Sequence, residues 1–275
     1  MQFHHLRKNQ LNGLNKIIII RGGGDIGAGV AHRLFNAGFN VLITELEFPL
    51  VIRRMAAFSS AVYSKVITVE DVTARYAEVL EDIEFILQKK EIPVIVDSDL
   101  KILKTIKPFA VIDATLSKKN IGTSKLMADI TIALGPGYCA GKDVDAVIET
   151  NRGHNLGRII YKGSAEENTG EAGNISGFKN ERVLRATASG KIKNTCDIGC
   201  LVNKGDIISV INNSPVTASI SGVIRGLIID GFKVFEGQKI GDIDPRGKTE
   251  YCNTISDKAR TISGGVLEVI MHLSK

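Results

Sequence analysis

The chain is poor in aromatic residues, cysteine, long apolar runs and clustered charge, and each shortage removes a class of protein. Ten Phe, five Tyr and no Trp offer little to stack on bases, and the 35 basic residues are spread without a basic run. A nucleic-acid partner is therefore not expected. The apolar stretches are far too short to span a bilayer, and residues 1–16 are polar with no secretory core. A cytoplasmic location without membrane contact is the expectation. Four cysteines, at 139, 196, 200 and 252, do not make a disulfide framework in a chain of 275 residues. Cys196 and Cys200 lack the second pair or nearby histidine that would complete a zinc set, so no metal is expected. The net charge of +5 suits an anionic small-molecule or nucleotide ligand, which a mild positive field helps to gather.

What is present begins with glycine. Residues 17–27 read IIIIRGGGDIG, an apolar run that feeds a glycine cluster and opens into a helix-like pattern. Gly22, Gly24 and Gly27 fit the G-x-G-x-x-G spacing. The first glycine permits a tight turn, the second a close approach of backbone to a pyrophosphate, and the third close packing of helix on strand. Residues 41–45 (VLITE) then read as a strand ending in Glu45, placed to accept hydrogen bonds from a ribose 2′-hydroxyl. An acid there favours NAD over its 2′-phosphorylated form; Arg53 and Arg54 weaken that preference if they fold back.

Residues 17–113 alternate strand-like and helix-like segments. Strands are expected at 17–21, 40–45, 65–69, 92–96 and 109–113, and helices at 25–37, 70–90 and 98–106. Near-continuous Val/Ile runs such as 92–96 (IPVIV) suit central parallel strands. The expected architecture is α/β, with a Rossmann-like doubly wound sheet. From about residue 130 short strands alternate with glycine-rich loops, at 131–134, 146–149 and 158–161. The expected units are a polar tail (1–16), a nucleotide-binding domain with a strand and loop extension (17–167), a β-rich domain (182–247) and a C-terminal helix (248–275). Residues 168–181 read as a connection.

The β-rich unit is an internal repeat. At an offset of 32 residues Gly190 matches Gly222, Ile192 matches Ile224, Gly199 matches Gly231, Gly205 matches Gly237 and Ile208 matches Ile240, with no gap. Two copies in register imply two β units about a pseudo-twofold axis. The repeat resembles the biotinyl/lipoyl-like hammerhead, whose carrier members present a modifiable lysine on the joining hairpin. Residues 212–215 (NNSP) contain no lysine, so covalent biotin or lipoate is not expected. In the final segment Ile255, Ala259, Ile262, Val266 and Ile270 make a helical stripe with Ser256 as N-cap. Gly264 and Gly265 within it suggest close backbone packing.

The densest polar constellation lies at 135–157. Residues 135–142 (GPGYCAGK) approach a phosphate loop, but Pro136 stands where its first glycine belongs and Asp143 replaces Ser or Thr. After the strand at 146–149, Asn151 and Arg152 are candidates to bind phosphate or carboxylate. His154 is a candidate acid or base. Asp113 ends a strand at the expected crevice, where a cap role serves equally well. Cys139 in its glycine loop near Lys142 is a candidate reactive thiol.

The strings at 21–25 (RGGGD), 135–137, 143–154 (DVDAVIETNRGH), 168–170, 221–226 (SGVIRG), 241–246 (GDIDPR) and 256–260 (SDKAR) together resemble the YqeB-type family. That family takes its description from the selenium-dependent molybdenum hydroxylase system. The first half is also reminiscent of XdhC/CoxI-type maturation factors. The resemblance implies an accessory role in maturing a molybdenum hydroxylase client, with NAD or a molybdopterin dinucleotide as the bound cofactor. Two alternatives stand beside it: an NAD-dependent oxidoreductase acting on a small metabolite, and a non-catalytic adaptor that docks a client through residues 182–247.

Overall fold

The computed structural model describes residues 16–274, so the polar tail lies outside the described residues except for Lys16. Strand β1 (Ile17–Arg21) passes through the glycine turn into α1 (Asp25–Asn36) and β2 (Asn40–Glu45). Single 3-10 turns and the one-turn α2 (Ala61–Ser64) lead to β3 (Val66–Val69) and β4 (Val72–Ala77). Then come α3 (Leu80–Gln88), β5 (Ile92–Val96), β6 (Ala110–Asp113), β7 (Ile130–Leu134), β8 (Ala146–Ile148) and β9 (Ile159–Ile160). The nine strands form one sheet in the order β3-β4-β5-β2-β1-β6-β7-β8-β9. Its inner pairs are parallel, and its two edge pairs, β3–β4 and β8–β9, are antiparallel.

The expectation of a Rossmann-like doubly wound fold followed by a hammerhead is overturned: the regular structure is mostly strand, with few helices. Seventeen strands and four α-helices occur among the described residues, and only α1 and the C-terminal α4 (Asp257–Leu273) exceed ten residues. A doubly wound sheet is covered by helices from its successive crossovers. Here the β5–β6 and β6–β7 connections carry only 3-10 turns (Lys101–Lys104 and Lys125–Met127), and β7–β8 carries a loop. The local causes are visible. Residues 70–90, expected as one helix, turn sharply at Glu70 (φ 57°), and Val72–Ala77 pairs antiparallel with β3 before α3 begins. In 98–106 Leu100 sits at φ 56°, outside helical space. The Asp97 carboxylate accepts from Lys101 N (2.9 Å) and Ile102 N (2.8 Å), which supports one 3-10 turn and no more.

The C-terminus supplies the cover that the crossovers do not. Helix α4 runs alongside α1 in the same direction, Ala259 against Gly29 and Ser263 against Arg33, whose Nε donates to Ser263 Oγ (2.8 Å). A Cβ on Gly29 would stand 2.7 Å from Ala259 Cβ, so glycine sets the approach of the two helices. Ile262, Val266 and Ile270 are fully buried with Ile132, Ile148 and Leu34 in the main core. Ser256 Oγ accepts from Ala259 N (3.2 Å), the expected cap. Of the glycine pair only Gly265 packs closely, against Gly157 O; Gly264 faces open space.

Between the sheet and α4 the chain forms β10 (Val183–Arg185), β11 (Gly190–Asn194), β12 (Leu201–Val202), β13 (Ile207–Ile211), β14 (Ser214–Thr217), β15 (Gly222–Leu227), β16 (Lys233–Val234) and β17 (Lys239–Asp244). They make two antiparallel sheets, β10-β17-β15-β12 and β14-β13-β11-β16, around an apolar core of their own. The 32-residue offset carries β11, β12 and β13 onto β15, β16 and β17. It also carries the pairing β11–β13 onto β15–β17. Asn212 and Asn213 turn the β13–β14 hairpin with φ of 46° and 66°, values that asparagine tolerates.

Candidate functional site

A cleft of about 1300 Å³ opens at the carboxyl ends of β1, β2, β5 and β6, bounded opposite by β15, β17 and the start of α4. The glycine turn forms its floor. Gly22 adopts φ 94° and donates its N–H to Thr44 O (2.8 Å). Gly24 is the N-cap of α1, and a Cβ built there meets nothing within 4 Å. Gly27 is different, since its Cβ would fall 2.0 Å from Gly22 O. Gly22 and Gly24 line the cleft, while Gly27 fixes the turn behind them.

Glu45 also lines the cleft, but its carboxylate already serves the turn. It accepts from Gly23 N (2.8 Å) and Leu46 N (2.8 Å). Burial pushes its pKa up, against the pull of those two donors. Arg53 and Arg54 do not fold back onto it. Arg54 Nε donates to Leu227 O (2.8 Å) on the β-rich unit. Arg53 is 7% exposed and bridges Asp25 Oδ1 (2.8 Å) to the carbonyls of Tyr251 (2.8 Å) and Thr254 (2.9 Å).

Asn151 and Arg152 line the cleft as well. Their turn is shaped by buried Glu149, which accepts from Thr150 N, Asn151 N and Glu166 N. Asn151 Nδ2 donates to Glu166 (2.7 Å). Arg152 forks onto Asp257 at the start of α4 with two bonds of 2.9 Å. His154 is exposed and does not line the cleft. Nor does Cys139, whose N–H is held by Asp143 Oδ2 (2.9 Å).

Asp113 is 1% exposed and saturated. It accepts from Thr115 N (3.1 Å), Thr115 Oγ1 (2.6 Å), Thr123 Oγ1 (2.6 Å) and Tyr138 Oη (2.7 Å), with Arg21 Nη1 at 3.6 Å. Burial, then the Asp113 charge, pushes the Tyr138 phenol up to about 12. These contacts make Asp113 the anchor of the wall after β6.

The cation-rich end of the cleft, facing α4 and β15, escaped the sequence reading. Four aspartates there each have an arginine: Asp25 with Arg53, Asp242 with Arg182, Asp244 with Arg246 and Asp257 with Arg152. Arg225 and Lys258 line the same end. The only sequence signal for them was their place in the strings at 221–226 and 256–260. Glu45, Asp97 and Asp99 line the cleft at the opposite end, and Glu166, Glu167 and Glu171 line it as well, so acids and cations share its wall.

The Arg152 fork holds the Asp257 carboxyl well below the usual aspartate range. A carboxyl lowered by folding adds stability above its unfolded value of 3.8, and that stability is lost as pH falls through the folded value. Both side chains are partly exposed, so Asp257→Asn is expected to lower stability at neutral pH by no more than about 1 kcal/mol. Urea denaturation should show this gap closing as the pH drops below 3.8.

Among the described residues no helix is long and apolar enough to cross a membrane. Fold and cleft define a mostly β protein in which a glycine turn on a nine-stranded sheet faces a smaller antiparallel unit across a polar cleft. Over 259 residues, 94% of its length, the chain is 50% identical to the uncharacterized protein YqeB of Escherichia coli (strain K12). This supports the YqeB family. The chain spans about half the length of that relative, 48%. No protein-family model matches. Solved structures with some likeness include an aspartoacylase family protein from Mesorhizobium loti (11% identity, 83% of this chain and 84% of that chain, TM-score 0.27). Another is the ectoine utilization protein EutE (DoeB) of Ruegeria pomeroyi, product-bound (10% identity, 83% and 85%, TM-score 0.26). At these scores the likeness says nothing about the cleft's chemistry.

Proposed function

We propose that the chain is an accessory protein in the maturation of a selenium-dependent molybdenum hydroxylase, and that it holds a pterin dinucleotide or another nucleotide in the cleft. One observation carries the binding part: the open Gly24 position, Asn151 and Arg152 meet in one cleft lined by both acids and cations. The cleft is at or above the upper range of small-ligand sites, roughly 300–1,000 Å³, which leaves room for a dinucleotide. Its residues fit such a group. The turn leaves backbone at Gly24 accessible, and Thr44 Oγ1, buried in the cleft wall, has no hydrogen-bond partner. The maturation role and its client rest on the family resemblance.

The test is native mass spectrometry with NAD and a molybdopterin dinucleotide in competition. The wild type is expected to retain the pterin species. Gly24→Val places a branched side chain in the cleft and is expected to weaken retention at least tenfold. Its cost in stability should be about 1 kcal/mol, that of a poorer N-cap. Unchanged retention in a folded Gly24→Val protein removes the proposed site. Preference for NAD moves an oxidoreductase to the front, and retention of neither leaves the adaptor.

A further inference from the structure

Two cations in the cleft wall have side-chain donors that no acid hydrogen-bonds among the described residues. Lys258, on the first turn of α4, makes no ion pair or hydrogen bond through its side chain among the described residues, although it lines the cleft. Arg225 is 8% exposed and also lines it. Its Nε donates to Tyr251 O (3.2 Å), and its Nη1 makes only a loose ion pair with Asp244 Oδ2 at 3.7 Å, without a hydrogen bond. Asp244 gives its hydrogen bonds to Arg246 instead (2.9 and 2.6 Å). The four acid–arginine pairs at this end are complete without either residue.

An unpaired cation in a partly desolvated wall is unfavourable unless something neutralises it. Burial pulls the pKa of both groups down, and for each the next cause is a neighbouring arginine, Arg152 beside Lys258 and Arg53 beside Arg225. Asp25, Glu149 and Asp257 act on Lys258 in the opposite sense, and Asp242, Asp244 and Asp25 on Arg225, yet none of them hydrogen-bonds the Lys258 ammonium or the Arg225 Nη groups. The parallel packing of α1 and α4 also brings both helix N-termini to this end, where backbone partial charges favour an anion.

We infer that Arg225 and Lys258 form a pyrophosphate subsite, so that the cleft selects ligands carrying a phosphoanhydride with two or more negative charges. The guanidinium supplies a fork and the ammonium a point charge, the two usual ways of holding phosphate oxygens. Glu45 and its neighbouring acids then face the ligand's hydroxyl-bearing part. This assignment deepens the nucleotide reading by using the same cleft, yet it can be tested apart from it.

The test is calorimetric titration of the full chain with inorganic pyrophosphate. Lys258→Met is expected to weaken binding at least tenfold without loss of fold, since the ammonium has no partner to abandon. Lys258→Arg should restore most of the affinity, and Arg225→Met should reproduce the loss. Lys239→Met, which removes an exposed charge from the same cleft, should change affinity less than twofold. No binding by the wild type, equal affinity in Lys258→Met, or an equal loss in Lys239→Met overturns the subsite. If pyrophosphate binding depends on Lys258 while neither dinucleotide is retained, the subsite stands and the nucleotide proposal falls.

Discussion

Gly27→Ala is expected to destabilise the protein by about 3 kcal/mol or more, a large share of the stability of an ordinary domain. The added Cβ would lie 2.0 Å from Gly22 O and 3.3 Å from Ala114 Cβ. Neither neighbour can yield cheaply. Gly22 is held at φ 94° with its N–H on Thr44 O, and Ala114 N is bonded to Arg21 O (2.9 Å). Relief therefore requires α1 to lift off β1, which opens the core around Ile20, Ile26 and Ala28. Overpacking of this kind normally costs about 1–3 kcal/mol, and here the obstacle is backbone. Gly264→Ala is the matched control. It lies inside α4 with nothing within 4 Å of a built Cβ, and it should gain up to about 1 kcal/mol from helix propensity. Urea denaturation of both variants decides the matter: similar stabilities would mean that the turn gives way and Gly27 does not set the geometry.

How much of this was legible in the sequence depends on whether the deciding contact is local. Strands β1, β2 and β5 read correctly because their apolar runs are continuous and buried. Helix α1 followed from the glycine turn, and α4 from its stripe and its serine cap. The misreading of 70–90 has a specific origin. Leu80, Ile83, Ile86 and Leu87 recur at helical spacing and do lie on a helix, but Val72–Ala77, expected to continue it, is strand. The turn that separates it from β3 uses Glu70 and Asp71, with none of the glycine or asparagine that marks a tight hairpin. With that hairpin in place of helix, and without the helix expected at 98–106, the doubly wound architecture fails. Gly22, Gly24, Asn151 and Arg152, expected from residue type and spacing, line one cleft. Arg225 and Lys258 were not expected, because their meaning comes from which acids are already taken. Asp25 is satisfied by Arg53, and Asp257 by Arg152 across 105 residues, and no local pattern shows that. The structure sets Asp113 and His154 apart from these in opposite ways, one sealed in a saturated web and the other exposed outside the cleft lining.

Asp113→Ala is expected to cost about 3–5 kcal/mol, the range for removing one partner of a buried charged network. The deletion strands four donors at once: Thr115 N, Thr115 Oγ1, Thr123 Oγ1 and Tyr138 Oη. It also removes the carboxylate 3.6 Å from the buried Arg21 guanidinium, which keeps only Ile121 O, Thr123 Oγ1 and Ser98 O. Arg21 and Thr115 line the cleft, so its wall should loosen and ligand retention should fall with stability. Asp113→Asn separates structure from chemistry. It keeps the shape and one acceptor, and the rotatable Tyr138 and Thr123 hydroxyls can turn to receive the new amide, so the loss should be nearer 1–2 kcal/mol, about that of a few weakened hydrogen bonds. A general acid or base would show the reverse order, with alanine and asparagine equally inactive and stability little changed in either. Denaturation midpoints measured beside dinucleotide retention therefore place Asp113 on one side or the other, and the saturated web predicts that retention tracks stability across the two variants.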